Sequence, residues 1–251
     1  MGFDVPGDRY DRFMGRYTAG LAPLMADAAH VERGMRVVDV GCGPGGLTVE
    51  LAARVGGERV AAIDPSAPFV AACRERVPGA DVREGGGEAL PWDDHAFDAA
   101  LSCLVVGFMR DPARGVAEMR RVTRPGSLVA ICFWHVPRHQ MLDLASRAIT
   151  SVRPDADPHP PLVGTEKGEL RELIEQAGMD VVADGEMTVA APYDDFGDFW
   201  ASVSGGAGPI ADAMATMTPE ERAGAEAYAR AELPDGAFSL TATAWYAVGL
   251  A

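Results

Sequence analysis

Along the first 135 residues the apolar positions alternate between helical and strand periods. Residues 8–30 place Phe13, Tyr17, Leu21, Leu24, Met25 and Ala28 at helical spacing and predict one or two amphipathic helices. MRVVDVG (35–41) is a β-branched run closing on glycine, which predicts a buried strand ending in a turn. GLTVELAARV (46–55) returns to helical spacing, with Leu47, Leu51 and Val55 on one face. RVAAID (59–64) predicts a second strand, SAPFVAACRERV (66–77) a helix capped by Ser66, and ADVRE (80–84) a third strand. FDAALSCLVV (97–106) reads as a fourth strand. DPARGVAEMRRVT (111–123) reads as a helix with Asp111 as its cap and Pro112 at its first position. RPGS then turns the chain into a fifth strand, LVAICFW (128–134).

Strands alternating with helices imply crossover units, a parallel sheet and helices on both faces. Ligands are then expected at the carboxyl ends of the strands, near the switch point beside the first one. Beyond residue 135 the pattern loosens. Helical material in 136–165 is broken by RPDADPHPP, which fits neither helix nor central strand. A helix over 166–177 stops at Gly178, MDVVADGEMTVAAP (179–192) alternates as a strand, and 194–233 is largely helical around SGGAGP. FSLTATAWYAVGLA (238–251) is a last strand. The expectation is one domain over residues 1–251, an α/β doubly wound sheet with its core at about 31–135. The segments 1–30, 136–165 and 192–235 are expected to lie over the strand ends as a helical lid.

Composition narrows the setting. The chain is 48% apolar and 24% charged, as globular domains are. MGFDVPGDRYDRF lacks the basic start and apolar run of a signal peptide, and LVAICFW is too short to cross a bilayer. A cytoplasmic protein without a membrane partner is expected. The net charge of −15 is uneven: residues 1–150 hold 19 acidic and 17 basic groups, residues 151–251 hold 18 and 5. A nucleic-acid partner would need the opposite sign. The acidic half reads as solvated surface, with a cationic substrate as the alternative. Cys42, Cys73, Cys103 and Cys132 form no C-x-x-C pair and read as small buried hydrophobes, so no metal site is expected.

The candidate chemistry lies in VVDVGCGPGG (37–46). Gly41, Gly43 and Gly46 fit the dinucleotide spacing G-x-G-x-x-G. Asp39 stands where it would face a pyrophosphate, and burying like charges together is costly. An amino group or a sulfonium would be attracted there; the alternative is that Asp39 only supports the turn. Asp64 ends the second strand, where a carboxylate accepts from the ribose hydroxyls of an adenosine or caps a helix.

Four stretches in order, VVDVGCGPGG, AAIDPSAPFV, EGGGEALPWDDHAFDAALSCLVV and RRVTRPGSLVAICFW, resemble the class I S-adenosylmethionine-dependent methyltransferases, in the group with the ubiquinone/menaquinone-biosynthesis enzymes. YDRFMGRYT resembles the first helix of a bacterial subgroup of these proteins. The resemblance implies a mostly parallel seven-stranded Rossmann-like sheet with an antiparallel last strand, and S-adenosyl-L-methionine as cofactor. It places Asp39, Gly41 and Gly43 at the methionine end, with Cys42 and Gly45 in the same turn. Asp64 would hold the ribose, Pro65 and Phe69 would pack on adenine, and the backbone of Gly86, Gly87 and Glu88 would meet the adenine edge. Ser102 would face the amino group through its carbonyl, beside Cys103. Tyr10 and Arg16 would clamp the carboxylate and close the pocket, although Arg16 also reads as a solvated helix arginine. One departure stands out: GGGEALP puts Gly86 where relatives often have an aspartate.

Methyl transfer needs alignment and exclusion of water, and a base only for a hydroxyl-like acceptor. The end of strand four reads SCLVVGF and lacks the Asn/Asp-Pro-Pro-aromatic signature of nucleic-acid amino methylation, which turns the expectation to a small-molecule acceptor. His135 follows strand five and is the candidate base, or a polar residue opening a loop; His139 shares that ambiguity. His30 and His95 are expected in solvent and His159 in the lid. Trp134, Tyr193, Phe196, Phe199 and Trp200 could line an apolar acceptor site or simply pack. O-methylation is favoured over C- or N-methylation. The rivals are an NAD-dependent oxidoreductase, which the missing Tyr-x-x-x-Lys pair disfavours, and a cofactor-binding protein without catalysis.

Overall fold

The computed structural model describes residues 6–158 and 161–251. Seven strands form one sheet: β1 (Val37–Val40), β2 (Val60–Asp64), β3 (Asp81–Glu84), β4 (Phe97–Cys103), β5 (Thr123–His139), β6 (Asp180–Tyr193) and β7 (Phe238–Leu250). Their order is β3-β2-β1-β4-β5-β7-β6. β7 runs antiparallel to both neighbours, and the other pairings are parallel. This is the doubly wound sheet that the alternating pattern predicts.

The central strands are buried on both faces, which is why they read as unbroken apolar runs. Alternate residues of β1 serve two cores. Val37 packs with α2 (Arg16–Ala28) and α3 (Gly46–Val55), while Val38 and Val40 pack with α5 (Pro112–Val122) and α7 (Glu169–Gln176). The N-terminal helical stretch is continuous: α1 (Gly7–Tyr10) leads through a π-helical turn (Asp11–Gly15) into α2. α4 (Ala67–Arg76) starts after Ser66, as predicted, and Asp111 caps α5 by accepting from the Arg114 N–H. α6 (Gln140–Val152), α8 (Phe196–Ser204), α9 (Pro209–Ala215) and α10 (Pro219–Glu232) complete the helices. No helix among the described residues is long and apolar enough to cross a membrane.

Two strand ends depart from expectation. β4 stops at Cys103, because Leu104 turns into the left-handed region (φ 66) and 106–108 wind into a short 3-10 turn. That conformation is uncommon for a side chain without a local hydrogen bond, and burial of Leu104 holds it. β5 instead continues to His139, which pairs with Ala242 of β7 after a break in register that follows Trp134. His135 therefore lies in a strand and opens no loop.

Candidate functional site

The glycine turn sits at the carboxyl end of β1. Gly41, Gly43 and Gly45 have φ of 77, 53 and 102. At Gly41 a Cβ would also lie 2.4 Å from the Val105 side chain, so only glycine fits there. The donors of the turn are turned inward. The Gly41 and Cys42 N–H groups donate to the Ile63 carbonyl (2.8 and 3.0 Å), and the Gly45 N–H to the Cys42 carbonyl (3.0 Å). The Gly43 N–H donates to Asp64 Oδ2 (2.9 Å).

Two carboxylates are buried at this turn. Asp39 is 1% exposed. Its Oδ2 accepts from the Thr48 hydroxyl (2.7 Å), while Oδ1 has no partner within the protein. Burial pushes its pKa up to about 7, with Thr48 opposing and Asp64 adding to the shift. Asp64 joins β2 to α4, taking the Ser66 N–H on Oδ1 (2.8 Å) as well as that of Gly43. Burial raises its pKa too, against those two N–H groups.

Two cavities meet along this turn, and both include Tyr10, Gly41 and Gly43. The first, about 380 Å³, reaches Asp39, Cys42, Gly45 and Cys103 from beneath α2. The second, about 640 Å³, runs past Asp64, Pro65 and Phe69 to Gly86, Gly87 and Glu88. The two cavities thus bring together fourteen of the sequence-predicted residues and add a wall that the pattern did not indicate. Val105, Phe108 and Met109 line the second cavity together with Pro65 and Phe69. Val105 belongs to the stretch read as strand four, Phe108 and Met109 follow it, and Gly107, against which Phe133 packs closely, was the available sign of a turn. Arg76 and Asp11, an ion pair at the rim of the first cavity, also carried no signal in the sequence. At Gly86 a Cβ would meet Glu88 Oε2 at 2.8 Å, so the carboxylate of Glu88 fills part of the space an aspartate would take.

Three predicted residues sit differently. Arg16 lines the first cavity, but its guanidinium is held by Asp198 (3.0 Å to each oxygen) and the Pro192 carbonyl (2.7 Å), over the Tyr193 ring. It is turned to α8 and leaves no fork for a ligand carboxylate. Ser102 is fully buried in β4 and outside both cavity walls. His135 alternates with Trp134 along β5; it stacks on Trp245 and places Nδ1 3.9 Å from Glu186, away from the groove. The candidate base is therefore corrected: strand alternation directs it elsewhere.

Tyr10 stands at a junction. Its ring meets Phe69 edge-on (5.2 Å), and it lines a third cavity besides the other two. Burial, with the nearby Cys103, Asp64 and Asp11, raises its pKa and keeps the phenol protonated. The third cavity is an apolar chamber whose walls come from Phe13 and Met14, from Phe133, Trp134 and Leu142, and from Ala207 and Ile210. Among the described residues its only side-chain hydroxyls are those of Tyr10 and Thr165, and no charged group lines it. Of the aromatic candidates only Trp134 lies there. Tyr193, Phe196, Phe199 and Trp200 pack on one another around α8. His139 is buried against Tyr17 and Trp134, His30 and His95 are exposed, and His159 lies outside the described residues.

Comparison with known proteins agrees with this geometry. Residues 38–131 match the family model described as a methyltransferase domain. The demethylmenaquinone methyltransferase of Chlorobaculum tepidum is 31% identical over 111 residues, 44% of this chain and 46% of that one. The malonyl-[acyl-carrier protein] O-methyltransferase of Pectobacterium atrosepticum is 36% identical over 122 residues, 48% of this chain and 47% of that one. The chain thus spans about half the length of these curated relatives. In fold it is similar to the geranyl diphosphate C-methyltransferase of Streptomyces coelicolor A3(2), with a TM-score of 0.54 and 15% identity over 94% of this chain and 80% of that one. Residues 38–131 thus match a methyltransferase domain, and the chain as a whole has the fold of solved methyltransferases.

Proposed function

We propose that this chain is a class I S-adenosylmethionine-dependent methyltransferase, which binds S-adenosyl-L-methionine along the glycine turn and methylates an oxygen of a small molecule seated in the apolar chamber. The observation that carries the reading is Asp39, whose buried Oδ1 lacks a partner inside a groove of ligand size. A cationic amino group is the partner it lacks. Asp64 suits the ribose hydroxyls, since each of its oxygens keeps a lone pair beyond the N–H it accepts. Pro65, Phe69, Val105 and Met109 offer apolar walls against which an adenine ring fits. When bound, the cofactor supplies an electrophilic methyl carbon on a sulfonium sulfur.

The protein's own part is positioning and dryness. Tyr10, Leu104 and Phe108 line both the cofactor groove and the chamber, and so form the waist at which donor and acceptor would meet. The segments around Phe13, Leu142 and Ile210 cover the strand ends there, in keeping with a lid. The chamber offers no base. The acceptor oxygen then reacts as the neutral hydroxyl of a phenol or enol, and its proton passes to water as the O–C bond forms and the C–S bond breaks. Tyr10, held protonated, can donate a hydrogen bond to that oxygen but cannot take its proton.

S-Adenosylhomocysteine should raise the thermal midpoint, NAD should leave it unchanged, and Asp64→Ala should abolish the rise. Stabilisation by NAD alone would overturn the reading. Transfer of labelled methyl groups to a panel of phenols would separate an enzyme from a binder.

A further inference from the structure

The chamber behind Tyr10 adjoins a second, more open pocket on its far side. The two share Val136, Leu162 and Thr165; the open pocket is about 460 Å³, and its other walls include Pro137, Pro161, Glu166 and Glu169. Cofactor groove, waist, chamber and side mouth therefore lie in series. The chamber itself is narrow, about 80 Å³, so it admits a slim end of a molecule while the bulk stays in the mouth.

The two ends of this passage differ in chemistry. At the inner end the free donor is the Tyr10 phenol. At the outer end the Thr165 hydroxyl is already given to the Leu162 carbonyl (2.7 Å). The rim carries Glu166 and Glu169, and Glu169 is fixed there by the N–H groups of Gly164 (2.7 Å) and Glu166 (3.0 Å). A negative rim repels anions. An ionised group inside the chamber would find no partner of opposite charge, and an unpaired buried charge is strongly disfavoured.

Resting on the methyltransferase reading, we infer that the acceptor is an uncharged, largely apolar hydroxy compound that enters by the side mouth at Val136, Leu162 and Glu166 and points its hydroxyl at Tyr10. It does not pass through the cofactor groove. Cofactor and acceptor then bind in either order.

The test uses 4-butylphenol and 4-butylbenzoate as probes, titrated into the protein at pH 7 with and without saturating S-adenosylhomocysteine. The phenol should bind at least tenfold more tightly than the benzoate, and its association rate should stay within twofold when the groove is filled. Leu162→Trp, at the seam of chamber and mouth, should weaken phenol binding at least tenfold and leave S-adenosylhomocysteine affinity within twofold. Equal or tighter benzoate binding would refute the charge argument. A tenfold slower association in the filled protein would refute the separate entrance. Loss of S-adenosylhomocysteine affinity in Leu162→Trp would mean misfolding, and Thr165→Trp then makes the same comparison at the same seam. Failure of the methyltransferase reading is a different result: the unmodified protein would not bind S-adenosylhomocysteine at all.

Discussion

Replacing Asp39 by asparagine tests the site through the pH dependence of stability. The Asp39 carboxyl moves from an ordinary 3.8 in the unfolded chain to about 7 in the folded protein, because burial disfavours its charge. The folded state therefore binds more protons between those values. Stability from this group is fully present below pH 3.8 and is lost as pH rises through 7. At about 1.4 kcal/mol per pH unit, the shift corresponds to roughly 4 kcal/mol in total, of which about 3 kcal/mol falls between pH 5 and pH 8. Asp39→Asn keeps the shape without the ionisation. Its stability relative to the natural protein should rise by about 3 kcal/mol between pH 5 and pH 8, roughly a 1 M change in urea midpoint. Asp64 shifts in the same direction but is common to both proteins, so it cancels. Binding adds a second readout. An amino group pairs with the ionised carboxylate, so S-adenosylhomocysteine affinity should increase about tenfold per pH unit up to pH 7 and then level off. In Asp39→Asn it should be weaker and flat. Parallel stability profiles for the two proteins would refute the argument.

Two further perturbations probe how the groove is held. Gly41→Ala combines a left-handed φ of 77 with a Cβ 2.4 Å from Val105, and should cost about 2 kcal/mol or more in urea unfolding. Adding Val105→Ala should recover part of that loss, and no recovery would exclude the contact as its cause. Arg16 and Asp198 should couple by about 1 kcal/mol in a double-mutant cycle at pH 7. Arg16 holds the Asp198 carboxyl below its usual range, so this coupling is present above that range and is lost only as pH falls below it, through the lowered folded value. Arg16→Ala should leave S-adenosylhomocysteine affinity within threefold; a larger loss would restore Arg16 as a ligand clamp.

What the chain discloses by itself depends on the range of the interaction involved. α3 begins and ends where GLTVELAARV predicts, because glycine turns and helical spacing act within a few residues. Asp39 and Asp64 could be singled out from their places at strand ends alone. Leu104 could not, since its neighbours favour a strand and only burial between two cavities turns it aside. Arg16 illustrates the long-range case most clearly. Its partner is 182 residues away, and no local rule connects an N-terminal helix arginine to an aspartate at the start of α8. The chamber is assembled in the same way, from five separated segments that no local pattern connects.

The ambiguity of G-x-G-x-x-G is one of hydrogen-bond bookkeeping. A turn that cradles phosphate does so with backbone N–H groups left free for the anion. Here the N–H groups of Gly41, Cys42, Gly43 and Gly45 are all used inside the protein, and Pro44 has none to offer. Among the side chains of the turn, the group left over is an acceptor, Oδ1 of Asp39. An asparagine at that position would avoid most of the desolvation cost, so a buried carboxylate there makes physical sense only with a cation to meet it. The same glycine spacing therefore serves opposite charges, and what distinguishes them is whether donors or an acceptor remain unsatisfied once the turn is closed. By that criterion the turn favours the amino end of an adenosylmethionine over a dinucleotide pyrophosphate.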